Sequence, residues 1–268
     1  MDIKIRLEEP EDYYAVEELT REAFWAFWLP SQKICEEHLL VNRLRNAQAF
    51  VPELDFVAEH DKKIVGHIIY SKSKVVDSEG NETETLAFGP LSVLPEFQGK
   101  GIGKQLMLHS FAVAKELGHR AVLIYGHPDY YPRAGFRRAS EFGITGSDGS
   151  SRDSFMAYEL YNGALDGISG RFFTDGAFDN LSEEDALEFD KKFTPKDKYT
   201  PDSISILLDL LQPQARKAIE GLDCPSLQMM VTKSEREISD LIGIDEKALE
   251  TIRSVLHDHN INWGVGSH

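Results

Sequence analysis

The sequence predicts a mixed α/β domain, a sheet flanked by helices, followed by a small all-helical domain. Three observations carry this. Ile3, Ile5 and Leu7 alternate with charged residues, as a half-buried strand does. An apolar stretch ending at Val93 and Leu94 stops at Pro95, glycines follow at 99, 101 and 103, and a long helical pattern begins at Lys104. From Ile204 onward only helical spacing remains.

In order along the chain, Val16, Leu19, Ala23, Phe24 and Phe27 recur at helical spacing until Pro30. A second helix is expected from Ser31, a good N-cap, to Asn46. Phe56 to Ala58 and Ile64 to Tyr70 form a hairpin turning at Asp61-Lys62. A third strand, Thr85 to Val93, follows the turn at Glu79-Gly80-Asn81. The helix after the glycines runs from Gly101 to Leu117, with Gly118 as its stop. Ala121 to Tyr125 is a continuous apolar run, the mark of a strand covered on both faces. Asp129 to Ala134 fits one short helical turn, Glu141 to Arg152 a mobile loop, and Phe155 to Leu160 the strand that closes the sheet.

Three glycines between a strand and a helix build a backbone anion site. They let the chain turn tightly, and the first amides of the helix have no intrahelical partner. Phosphate is the natural guest. The spacing G-x-G-x-G fits neither the dinucleotide fingerprint G-x-G-x-x-G nor a P-loop, since Lys104 is followed by Gln105. It does fit Q/R-x-x-G-x-G/A at Gln98, Gly101 and Gly103. This resembles the pyrophosphate-binding motif of the GNAT superfamily of acyl-CoA-dependent N-acetyltransferases.

The block His127-Pro128-Asp129-Tyr130-Tyr131-Pro132-Arg133-Ala134-Gly135-Phe136 is similar to the H-P-x-Y-Y-P-R-x-G-F segment of the YhbS-like branch of that family, as are Gly66-His67-Ile68 and Phe155-Met156-Ala157. The resemblance covers residues 1–165. It implies a mixed, mostly antiparallel sheet flanked by helices, and acetyl-CoA as cosubstrate. It further implies that Gln98, Gly99, Lys100, Gly101, Ile102, Gly103 and Lys104 hold the pyrophosphate, and that the backbone of Leu91, Ser92 and Val93 pairs with the pantetheine arm. Tyr131, four residues before Gly135, falls where these enzymes commonly carry the tyrosine that protonates the departing thiolate; a phenol stays protonated at neutral pH and can donate. Tyr130 reads as its packing neighbour.

Acyl transfer to an amine also needs a base. The strand at Leu86 to Val93 offers no carboxylate at its centre, where some family members use Glu. Glu22, Glu36, Glu37 and Asp129 are candidates by their place near the expected acceptor groove, while the His127-Pro128 pair reads rather as a turn that sets the short helix; none is chosen. Phe24, Trp25, Phe27 and Trp28 read first as core packing and second as an aromatic wall for substrate.

The 29 basic and 45 acidic side chains leave a net charge of −16, which repels nucleic acid and favours a cationic acceptor. No apolar run is long enough for a bilayer and Met1 to Glu9 has no secretory pattern, so a cytoplasmic protein without membrane contact is expected. Cys35 and Cys224 are too few and too far apart for a disulfide framework or a cysteine zinc site, and the histidines show no metal-ligand spacing with acidic partners; no metal is expected.

Three segments follow: 1–165 as the acetyltransferase domain, 166–200 as a connector, and 201–268 as the helical domain. The last, through Ala215 to Glu220, Ser234 to Ile238 and Leu241 to Leu249, resembles the helix-hairpin-helix domain at the C-terminus of RNA polymerase α subunits. Hairpins of that kind that hold DNA usually show Gly-h-Gly; here Gly243-Ile244-Asp245 puts a carboxylate where the phosphate would sit. The segment carries 6 basic and 11 acidic residues, net −5. Both features speak against DNA and for a protein-contacting or purely structural role.

The expected function is transfer of an acetyl group from acetyl-CoA to an amine, whether a small amine, an aminoacyl group, a peptide N-terminus or a protein lysine. The alternative is a CoA-binding regulatory or interaction protein that has lost the chemistry and acts through its C-terminal module.

Overall fold

The computed structural model describes residues 1–25, 34–128, 130–179, 181–195, 204–222, 224, 226–259, 261 and 263. The chain falls into two compact units. The first comprises Met1–Ala23 and Glu36–Phe189; the second comprises Asp190–Ser267 together with Phe24–Cys35. Among the described residues no helix is long and apolar enough to cross a membrane.

The first unit opens with β1 (Lys4–Leu7) and α1 (Tyr13–Phe24), then α2 (Glu37–Arg45). A hairpin follows, β2 (Phe56–His60) and β3 (Lys63–Val76), turning through Asp61 and Lys62 as expected, both with positive φ. β4 (Glu82–Val93) returns antiparallel along β3. After the glycine loop come α3 (Ile102–Glu116) and β5 (Ala121–Tyr125). The remaining strands are β6 (Arg137–Arg138), β7 (Ile144–Thr145), β8 (Phe155–Glu159) and β9 (Gly170–Phe173), and the unit ends in α4 (Glu183–Asp190).

Among the described residues these strands form one sheet in the order β1-β2-β3-β4-β5-β8-β6, with β9 beside the far end of β3 and β7 beside β9. All pairs are antiparallel except β4 with β5 and β7 with β9. This is the mixed, mostly antiparallel sheet flanked by helices that the sequence implied.

Alternation along the strands assigns the two faces. Phe56 and Ala58 join Leu106, Met107 and Phe111 of α3 in the main core, while Val57 between them packs with Val16 of α1 and Val41 of α2. Ile69 likewise meets Leu40 and Leu44 of α2. The helix pair α1 and α2 therefore covers one face and α3 the other.

Four details differ from expectation. α2 starts at Glu37; Pro30 and Ser31 lie outside the described residues, as do Phe27 and Trp28. β4 begins at Glu82 because its exposed end is held by pairing to β3, Glu82 with Val76, and not by apolar alternation. Phe155 to Glu159 does not close the sheet, since Arg137 and Arg138 pair outside it. The expected loop from Glu141 to Arg152 contains β7, and the stretch expected to connect the domains contributes β9, which pairs with Lys74 to Val76. β7 and β9 show no apolar alternation in the sequence, so only their partners reveal them.

The second unit is helical: α5 (Ile204–Leu208), α6 (Pro213–Glu220), α7 (Leu227–Met230), α8 (Glu235–Ser239) and α9 (Glu246–Asp258). Leu207, Ile219, Leu227, Met230, Ile238 and Ile252 make its core. Ser234 and Glu237 form a reciprocal cap on α8, and the Asp245 carboxylate accepts from the Ala248 amide at 2.8 Å, closing the start of α9.

Candidate active site

The parallel pair β4 and β5 shares a single register pair, Leu86 with Val122. Beyond it β4 runs on to Val93 and β5 to Tyr125 with no pairing between them. β4 also bulges at Gly89 and Pro90, the two residues that stand between the Tyr70–Phe88 and Ile68–Leu91 pairs. The strands thus part, and Leu91 to Val93 keep one backbone edge open for a strand-like guest.

The glycine loop lies at the end of that parting. Gln98 donates from Nε2 to the Val93 carbonyl at 3.0 Å and ties the loop to the end of β4. Gly99 and Gly101 both take φ near the left-handed region, +70° and +80°, which side chains resist. Gly101 is the N-cap of α3 and offers its amides no capping side chain. Gly99, Lys100, Gly101 and Lys104 are exposed, Ile102 and Gly103 buried. A glycine loop at the positive end of a 15-residue helix has the geometry that can take an anion. Lys100 turns its amine to the Glu96 carbonyl at 2.7 Å.

Leu91 and Val93 point to the α3 side, and Ser92 to the other, where its hydroxyl donates to Thr20 Oγ1 of α1 at 3.0 Å. All three of these cofactor-strand residues are buried.

Tyr131 opens the 3-10 turn Tyr131–Ala134 after β5; Asp129 is outside the described residues. Its ring bridges the parting. It lies against Gly126, where an added Cβ would stand 2.2 Å from Cε2, and faces Phe88 of β4 with ring centroids 6.0 Å apart. Burial pushes the Tyr131 phenol well above its ordinary pKa, and the residue is only 5% exposed, so the phenol keeps its proton at neutral pH. Tyr130 is half-buried; its ring packs on the same core, but its hydroxyl is turned toward Gly103.

Among the candidate bases, Glu37 at the start of α2 has its carboxyl pushed up by burial, the direction a base working near neutrality requires. Its Oε2 accepts from the Glu36 amide at 3.0 Å.

The face under α1 and α2 holds a buried charge cluster that spacing along the chain does not reveal. His67 Nε2 and Asp55 Oδ1 are 2.7 Å apart; Arg45 pairs with Glu8 and, at 2.8 Å, with Glu17, which also accepts from Asn42 at 3.0 Å. Glu8, Asp55 and His67 offer ligand atoms within 4.8 Å of one another. The His67–Asp55 separation is a hydrogen-bond length, and the Arg45 guanidinium already supplies positive charge to Glu8, so the group fits a proton and an arginine better than a metal ion.

Comparison with known proteins agrees with this geometry. Residues 15–136 match the Acetyltransferase (GNAT) family. The chain is 28% identical over 167 residues to the uncharacterized N-acetyltransferase YhbS of Escherichia coli K12, covering 62% of this chain and 92% of that protein. It is 33% identical over 97 residues to the uncharacterized N-acetyltransferase YjhQ of the same strain, 36% of this chain and 53% of that one. Among solved structures, a GNAT family acetyltransferase from Brucella melitensis in complex with acetyl-CoA aligns with a TM-score of 0.53 and 28% identity, over 66% of this chain and 98% of that one. The Escherichia coli YhbS structure in complex with CoA aligns with a TM-score of 0.58 and 24% identity, over 67% and 93%.

Proposed function

We propose that the first unit of this chain is an acetyltransferase of the GNAT kind, which transfers an acetyl group from acetyl-CoA to an amine whose identity is open. The observation that carries the reading is the parting of β4 from β5, with the glycine loop at its end and the Tyr131 ring across it.

In this reading the amides from Gly99 to Lys104 take the pyrophosphate and the free edge of Leu91 to Val93 takes the pantetheine amides. Holding the thioester this way removes much of the entropic cost of bringing it to the amine. The neutral amine attacks the thioester carbonyl; a C–N bond forms, the C–S bond breaks, and the amine gives up a proton to a base. The thiolate takes its proton from the Tyr131 hydroxyl, which burial keeps protonated. The strongly acidic chain suits a cationic acceptor.

For the second unit we propose a protein-contacting role for a helix-hairpin-helix made by α8 and α9. Asp245 caps α9 where a phosphate would otherwise bind, and Ile242 in the turn between the helices is 98% exposed.

Thiol release from acetyl-CoA with a panel of amines tests the enzyme reading. Wild type should release thiol with at least one amine, and Tyr131→Phe should lower kcat by about 10- to 100-fold with CoA affinity nearly intact. Tight CoA binding without thiol release from any amine would favour the regulatory alternative, to which the lack of a carboxylate at the centre of β4 lends support.

A further inference from the structure

Two tyrosines stand side by side at the start of the turn after β5, and their rings are perpendicular, 89° apart with centroids at 5.0 Å. They diverge. Tyr131 goes inward to Gly126, Phe88 and Phe136, while Tyr130 crosses toward α3. A Cβ built on Gly103 would find the Tyr130 hydroxyl oxygen at 3.0 Å, Leu91 Cδ2 at 3.6 Å and Val93 Cγ2 at 3.8 Å. That hydroxyl therefore stands over Gly103 in the first turn of α3, on the side that the Leu91 and Val93 side chains of β4 also face.

We propose that the Tyr130 hydroxyl is a contact for the pyrophosphate of CoA, at the phosphate nearest the pantetheine arm, so that the adjacent tyrosines divide their work between holding the cofactor and protonating the thiolate. The inference rests on the acetyl-CoA reading above and assigns Tyr130 a positioning role within it.

The surroundings explain why a neutral donor is used. Of the lysines near the loop, Lys100 is committed to the Glu96 carbonyl and lies over the Phe97 ring, and Lys63 is paired with Glu96 at 2.9 Å. Lys104 is the exposed lysine of the loop itself, and the amides and the Tyr130 hydroxyl add neutral donors beside it. An O–H donated to an ionised oxygen is among the stronger hydrogen bonds, and burial raises the Tyr130 phenol so that it keeps its proton. Glycine at 103 is also accounted for: a methyl group there would crowd the hydroxyl at a distance tighter than ordinary contact.

Calorimetric titration with CoA and phosphorus NMR of bound CoA test this on the full chain, with Tyr130→Phe and Tyr131→Phe side by side. Tyr130→Phe should weaken CoA binding by about 10- to 150-fold, the range for one charge-assisted hydrogen bond. It should also shift the pyrophosphate resonances and raise the KM for acetyl-CoA by more than it lowers kcat. Tyr131→Phe should do the reverse: lowered kcat, unshifted pyrophosphate signals. Tyr130→Phe that binds CoA as wild type does, or leaves the pyrophosphate signals in place, overturns the inference while the acetyl-CoA reading stands. A wild-type chain that binds no CoA removes both.

Discussion

His67 on β3 and Asp55 just before β2 hold their side chains 2.7 Å apart with almost no contact with water. Neither has an ordinary pKa. Burial lowers His67 to about 4, and burial raises Asp55 to about 6 and neighbouring Glu8 to about 7. A carboxyl whose folded pKa is raised adds stability below its unfolded value and loses it as pH climbs through the folded value. Glu8 should therefore cost the fold stability between about pH 4.5 and 7, the window its shift defines. His67 works in the opposite sense, losing stability as pH falls from about 6.5 to 4. Glu8→Gln removes the first effect and, because the Glu8 charge holds the His67 pKa up, lets His67 fall further, which favours the variant in the same direction. The difference in melting temperature between variant and wild type should move in favour of the variant as pH rises from 4.5 to 7, and a constant difference would refute the assignment.

Gly126 touches Tyr131 so closely that any side chain there must displace the ring. Gly126→Ala should cost about 1–3 kcal/mol of stability, the usual range for overpacking a core. It should also lower thiol release, because the phenol moves with the ring. Denaturant unfolding and turnover measured on one preparation would check both; a variant of unchanged stability and rate would mean the ring relaxes freely.

Glu37 is a candidate base by the direction of its shift. A base must be ionised to accept the amine proton, so the wild-type rate should fall as pH drops through a value above the ordinary carboxylate range. Glu37→Gln should lower kcat by about 10²-fold or more and abolish that limb. A Gln variant with the wild-type profile excludes the residue.

Asp245 accepts from the Ala248 amide and so caps α9. Asp245→Ala should destabilise the second unit by about 1 kcal/mol. Hydrogen exchange should speed up in α9 and stay unchanged in the first unit; uniform change, or none, would contradict a local cap.

The order of strands and helices was legible because period and punctuation are local. Alternation in β1, the Asp61-Lys62 turn and the unbroken run of β5 each appear within a few residues. The glycine loop was legible for the same reason, since spacing alone distinguishes it from other phosphate loops. The short strands β6, β7 and β9 were not, because each exists only through its partner.

The kind of fold, the glycine loop from Gln98 to Lys104 and the tyrosine pair are each encoded within single segments and can be read locally. Tertiary structure alone decided how far β4 and β5 part, which tyrosine goes inward, and that Glu8, Glu17, Arg45, Asp55 and His67 meet in one buried cluster. These depend on burial and on contacts between residues distant in the chain, and such terms take their value only when the chain is folded.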